Sequence, residues 1–130
     1  ITFHRAFDMC VDPMKALEEL INLGCNRILT SGQMPTAEAG IPLLRKLVEK
    51  SAGRIIILPG CGINENNIWK IAKETGAEEF HLSAREAIPS GMTYRNLKVS
   101  MGGTVQVDEY AEPRTSAKRV QQTLASLIKE

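Results

Sequence analysis

The sequence predicts an α/β protein built from βα units around a parallel sheet. Three observations point there. Runs with strand character begin at Ile1, Arg27, Arg54 and Glu79. These starts lie about 25 residues apart, enough for a strand, a crossover helix and its turns. Between them, apolar residues fall at helical spacing. The interior run "RIIIL" is apolar without alternation, as expected of a strand covered by helices on both faces.

Taken in order, Ile1 to Phe7 reads as the first strand. Met14, Leu17, Leu20 and Ile21 then share one helical face, and Gly24 can end that helix. Arg27 to Ser31 is the second strand. Ile41, Leu44, Leu47 and Val48 line the next helix, with Pro42 tolerated in its first turn and Gly53 after it. Arg54 to Leu58 is the third strand. Asn64 is the expected cap of a helix carrying Ile68, Ile71 and Ala72, which Gly76 ends. Glu79 to Leu82 is the fourth strand. Residues 84–113, with Pro89, Gly91, Gly102, Gly103 and Pro113, read as an irregular loop with a short extended arm at "TVQVDEY". Thr115 or Ser116 begins a last helix with Val120, Leu124 and Leu127 on its apolar side. Four strands fit a small open sheet, or half of an eight-stranded barrel completed by further residues or by a second chain. The opening strand has no helix before it, which favours the half-barrel.

Composition narrows the function classes. The 130 residues suit one domain, and 43% hydrophobic with 24% charged residues is the balance of a folded protein. Sixteen basic against fifteen acidic residues give no argument for nucleic acid or an anionic membrane. No stretch approaches the roughly 18 consecutive apolar residues of a membrane helix. Three cysteines, Cys10, Cys25 and Cys61, are too few for a disulfide scaffold and suit a reducing compartment.

Ligands of βα folds meet the carboxyl ends of the parallel strands, so four segments matter. "FHRAFD" brings His4, Arg5 and Asp8. An imidazole exchanges protons near neutral pH, and a guanidinium grips carboxylate or phosphate. Asp8 can orient a histidine, bind a metal or balance Arg5. The plain alternative is a strand-end ion pair with a packed histidine. "TSG" at 30–32 offers hydroxyls for an anion, or simply a turn. In "PGCGI" the glycines Gly60 and Gly62 permit close backbone approach and an anion nest, or a tight turn. Its glycine spacing is neither a dinucleotide fingerprint nor a P-loop. Cys61 is a soft ligand suited to Cu(I), a nucleophile, or an inert small residue. Cys10 follows Met9, and no CxxC or compact Cys-His cluster is present. "FHLSAR" adds His81, Ser83 and Arg85, of which Arg85 is the anion candidate. Tyr94 and Arg95 in "SGMTYRN" mark a lid rim or an exposed loop. Trp69 packs between helices or across an oligomer.

The segments "TFHRAFD", "DPMKALEELINLGCNRILTSG", "GRIIILPGCGI", "EFHLSAR" and "GMTYRN" together resemble the CutC copper homeostasis family, in its animal-type form. The resemblance covers essentially the whole chain. It implies a TIM-like (β/α)8 barrel, of which this chain is the carboxyl-terminal half with roughly the last four βα units. It also implies copper handling in the cytoplasm, with the nucleus as a second location, Cu(I) as the bound metal, and a homo-oligomer. Copper or a small anionic ligand is then the partner. By the same analogy His4, Arg5, Asp8, His81, Ser83 and Arg85 face one strand-end mouth. Cys61 stands where the family turn more commonly has glycine, as "PGGGI". The residues themselves also permit a second function: an enzyme acting on a small phosphorylated or carboxylated metabolite, with His4 or His81 exchanging a proton.

Overall fold

A computed structural model describes residues 1–128. Three short parallel strands form its sheet: β1 (Thr2–Phe3), β2 (Arg27–Thr30) and β3 (Ile56–Pro59), in the order β1-β2-β3. Thr2 pairs with Arg27, and Arg27 to Thr30 pair with Ile56 to Pro59. The helices are α1 (Pro13–Asn22), α2 (Ile41–Ser51), α3 (Ile68–Thr75) and α4 (Ala117–Leu127). A two-stranded antiparallel ribbon, β4 (Arg85–Pro89) with β5 (Ala111–Thr115), stands between α3 and α4 in the chain. The result is a partial, open βα arrangement of the kind an incomplete TIM-like fold would show.

The helices begin and end for local reasons. Asp12 caps α1 by accepting from the backbone N–H of Met14 (3.1 Å) and Lys15 (3.0 Å), with Pro13 next in line. Gly76 ends α3 at φ +76°, a left-handed conformation that a Cβ would oppose, and donates to Ala72. The inward faces of the first three helices agree with the spacing: Leu17, Leu20, Ile41, Leu44, Leu47, Ile68 and Ile71 are buried around Phe7, Ile28 and Ile57. Burying one such side chain stabilises the fold by about 1.5–3 kcal/mol.

Several boundaries differ from the sequence reading. The first strand stops at Phe3, and Arg5–Met9 forms a 3₁₀ turn instead. His4 causes this, because its Nδ1 accepts from the Ala6 N–H at 3.0 Å and caps the turn. The third strand runs two residues later than Arg54, since Arg54 turns out to bind Glu18. Glu79 to Leu82 is not a strand; it adds one parallel bridge, Gly60 to His81, to the edge of β3. Asn64 does not cap α3. Its side chain accepts from Asn66 in the turn before, and Asn67 is the N-cap residue. Residues 104–110 are not extended; the extended backbone lies on either side, at β4 and β5.

The last helix is turned relative to expectation. Ser116 caps it, as its position suggested. Its buried residues, however, are Thr123 and Ser126, while Val120 and Leu124 are exposed. They line an open apolar groove of about 200 Å³ with Ile68, Phe80, Leu82 and Leu127. Amphipathic spacing identifies a face that shuns water; it does not supply the surface that covers it.

Candidate functional site

The site forms where β2 and β3 end. Thr30 closes β2 and Ser31 follows it; both are fully buried and so need partners for their hydroxyls. Both find Asp8, brought there by the 3₁₀ turn. Asp8 Oδ1 accepts from Thr30 Oγ1 (2.6 Å), the Gln33 N–H (3.1 Å) and the Ser31 N–H (3.2 Å). Its other oxygen accepts from Arg5 Nε at 2.7 Å. Ser31 Oγ has one proton and two acceptors, Met34 O at 2.6 Å and Asp8 Oδ2 at 3.1 Å. Ser31 Oγ itself accepts from Arg5 Nη2 at 2.9 Å. Burial alone would raise the Asp8 carboxyl. The donors from Thr30, Arg5, Ser31 and Gln33 outweigh it and hold the group below its ordinary value. Asp8 is therefore ionised at neutral pH and serves as an anchor.

What it anchors is Arg5. With Nε and Nη2 engaged, the guanidinium is fixed while remaining 43% exposed. The Asp8 hydrogen bond raises its pKa, with Cys61 adding a smaller contribution in the same direction. Arg5 lines a cleft of about 280 Å³ together with the turn after β3 and the segment after the Gly60–His81 bridge. Cys61, Gly62, His81 and Ser83 line it, over a floor that includes Leu29 and Ile63. No carboxylate is in the lining.

The turn after β3 is shaped by contact rather than by flexibility. A Cβ on Gly60 would meet Leu29 Cδ1 at 2.6 Å and His81 Cβ at 3.4 Å, so only glycine lets His81 lie against the strand end. Cys61 holds φ +84°, an unfavourable conformation for a residue with a side chain, and its thiol donates to Pro35 O at 3.1 Å. The carbonyls on either side of the Gly62 N–H and Cα are tied down. Cys61 O accepts from the Ala37 N–H (2.9 Å), and Gly62 O from Asn67 Nδ2 (2.8 Å).

The structure thus brings Arg5, Cys61, Gly62, His81 and Ser83 to one cleft, with Asp8 beneath Arg5. Gly60 stands behind His81. His4 is spent on capping and stacks on Phe3, with ring centroids 5.3 Å apart. Arg85 sits in the ribbon, where its carbonyl accepts from Arg119. Cys10 meets Gln33, whose Nε2 donates to Cys10 O (2.8 Å) and lies 3.4 Å from Cys10 Sγ. Arg95 stacks on Tyr110 at 4.9 Å, and Lys73 lies 4.6 Å over the Trp69 ring. Gln33 went unnoticed in the sequence, although it joins the 3₁₀ turn to the loop after β2. Its backbone (φ +58°) is held by the Asp8 contact. The signal was indirect: two buried hydroxyls at a strand end require an acceptor, and the loop that follows must close on it.

Copper ligation can be judged on the donor set. Among the described residues no three His, Cys, Asp or Glu side chains converge in a way that could hold a metal ion. The described residues alone supply no three-donor metal site. No helix among the described residues is long and apolar enough to cross a membrane.

Comparison with known proteins follows the same lines. The CutC family model matches residues 1–86. A CutC family protein of Bacteroides thetaiotaomicron is 62% identical over 127 residues, covering 98% of this chain and 51% of its own. The human protein named copper homeostasis protein cutC homolog is 46% identical over 129 residues, covering 99% of this chain and 47% of its own. The bacterial relative is thus nearer than the animal one. A crystal structure from Streptococcus agalactiae, described as a candidate copper homeostasis protein CutC, superposes with a TM-score of 0.58 at 34% identity. That match covers 62% of this chain and 40% of the other. The chain spans about half the length of the curated relatives it matches. It belongs to the CutC family.

Proposed function

We propose that the protein containing this chain works in cytosolic copper homeostasis, and that this chain is the carboxyl-terminal half of its TIM-like barrel. One observation carries the copper reading: nearly the whole chain aligns, at 46% identity, with a human protein named for that role. The thiols of Cys10 and Cys61 are its soft donors on this chain. Among the described residues no cluster of three donors forms, so on this reading further ligands come from the rest of the barrel or from a second copy in a homo-oligomer. Anaerobic titration of the reduced full-length protein with Cu(I), in competition with a chromogenic chelator, tests this. Stoichiometric binding that weakens in Cys10→Ser or Cys61→Ser supports it. Absence of binding by the full-length protein removes direct copper ligation from the function.

A second reading has its own support. Arg5 is fixed by a buried carboxylate at the carboxyl ends of parallel strands, in a cleft that also holds His81. This favours a small carboxylated or phosphorylated metabolite, oriented by Arg5, with His81 placed to take or give a proton. His4 Nδ1 accepts from the Ala6 N–H and His4 does not line the cleft, so this reading favours His81 over His4. Screening the full-length protein against such metabolites, first for thermal stabilisation and then for turnover, tests it. Turnover lost in His81→Ala and kept in His4→Ala is the expected result. A full-length protein that no member of the panel stabilises would remove this reading.

A further inference from the structure

We propose that the arm formed by residues 90–110 is a self-association surface. Through it two copies of this chain pair about a twofold axis, with the basic limb of one arm against the acidic limb of the other. The pairing gives a surface to the homo-oligomer of the copper reading but needs no copper, so either can fail without the other.

The arm has a strand pattern without strands. β4 and β5 pair from Arg85 with Thr115 to Pro89 with Ala111, and the Ser90 N–H still donates to Tyr110 O at 2.7 Å. Beyond that the ladder stops. One limb reads Leu97-Lys98-Val99-Ser100-Met101 and the other Val105-Gln106-Val107-Asp108, with Gly102 and Gly103 between them. Such alternation of apolar and polar residues is the pattern of strands with one covered face. In the single chain neither limb is a strand. Both line an open space of about 610 Å³, with Leu97, Val99 and Val107 among its walls. The arm is shaped by its own residues. Glu109 accepts from Ser100 Oγ (2.9 Å) and the Met101 N–H (2.6 Å), and the Val105 N–H donates to Gly102 O at the tip (3.0 Å). Among the described residues, every hydrogen bond of residues 91–109 closes within 90–111.

The apolar face is large enough for a partner. Leu97, Val99, Met101, Val105 and Val107 are 51–85% exposed. Single exposed apolar side chains are ordinary, but these lie close together, and Met92 and Tyr94 extend the strip. At about 100 Å² each they offer roughly 700 Å² per copy, and two copies together clear the total of about 1,000 Å² that a specific interface needs. The charges favour a second copy as that partner. Arg95 and Lys98 stand on one limb, Asp108 and Glu109 on the other, so the arm is neutral as a whole. Lys98 and Asp108 form no salt bridge among the described residues. A twofold contact brings residue i of one copy to residue j of its partner, and j to i. A surface with opposite charges on separate limbs is therefore complementary to itself, whereas a face of one sign would repel its copy.

The test is sedimentation equilibrium of the full-length protein without added copper. Expected is self-association that Val99→Asp weakens about tenfold or more, because it sets a charge inside the apolar strip. Lys98→Asp and Asp108→Lys should each weaken it about tenfold, since each sets like charges across the contact. Mixed in equal amounts, these two variants should associate with each other as tightly as the wild type does with itself. The mixture restores opposite charges at both contacts, and no packing within one chain can produce that rescue. The three positions are exposed, so circular dichroism of the variants should match the wild type. If Val99→Asp does not fold, the charge exchange decides alone. A monomeric wild type overturns the proposal, and arm amides protected from hydrogen exchange in that monomer would assign the strip to the remainder of its own chain. An oligomer that Val99→Asp leaves intact also overturns it. Weakening by the charge variants without rescue on mixing overturns the twofold pairing.

Discussion

Replacing Asp8 with alanine is the most informative single change in this molecule. Three donors converge on its Oδ1: Thr30 Oγ1 at 2.6 Å, the Gln33 N–H at 3.1 Å and the Ser31 N–H at 3.2 Å. The side chain is only 8% exposed, so water does not readily replace it. A buried donor left without its acceptor costs about 1–3 kcal/mol. Thr30 and Ser31 are fully buried and bear the full cost; Gln33 is half-buried and recovers part of its own. The sum is about 3–5 kcal/mol, similar to breaking a buried charge pair and a large share of a typical domain's stability. Arg5→Gln, by contrast, costs about 1 kcal/mol, because that side chain is 43% exposed and Asp8 keeps its donors from Thr30, Ser31 and Gln33.

The assay is urea unfolding of the full-length protein followed by circular dichroism, for the wild type, Asp8→Ala and Arg5→Gln. The pH dependence follows from the sign of the shift. Asp8 holds its proton less tightly when folded than when unfolded. Its contribution is therefore present in full above the unfolded value, near 3.9, and is lost as pH falls through the lower folded value. The gap between wild type and Asp8→Ala should be widest at pH 7 and narrow below about pH 4. A cost under about 1 kcal/mol at pH 7, or a gap independent of pH, would falsify the account of Asp8 as the anchor of the strand ends.

Three further outcomes follow from the geometry. Cys61→Gly relieves a left-handed backbone at φ +84° and should raise stability by about 1 kcal/mol, read as a higher urea midpoint; a lower midpoint would mean that the thiol's packing outweighs the strain. Gly60→Ala drives a Cβ to 2.6 Å from Leu29 Cδ1 and should cost about 1–3 kcal/mol while moving the His81 ring, seen in its NMR shifts; unchanged ring shifts would contradict the packing described. Asp12→Ala removes the α1 cap and should cost about 1 kcal/mol in the same unfolding assay, whereas Asp12→Asn should retain most of the stability because its side-chain oxygen still accepts.

The sequence by itself determined the order of the first three βα units, the inward faces of the first three helices, and their punctuation at Gly24, Pro42 and Gly76. These follow from short-range rules: spacing along one helix, the conformational freedom of glycine, the missing N–H of proline. It also carried the family, because several specific segments occur in order along one chain. Only the tertiary structure decided which polar groups meet. His4 and Arg5 are neighbours in sequence, yet one caps a turn and the other reaches a cleft with Cys61 and His81, because Thr30 and Ser31 pull Asp8 down between them. The outward turn of Val120 and Leu124 was equally beyond the pattern, since a helical stripe states its need for cover and says nothing of what provides it. Hydrogen bonds between residues 22 to 26 positions apart fixed the site, and no local periodicity encodes them.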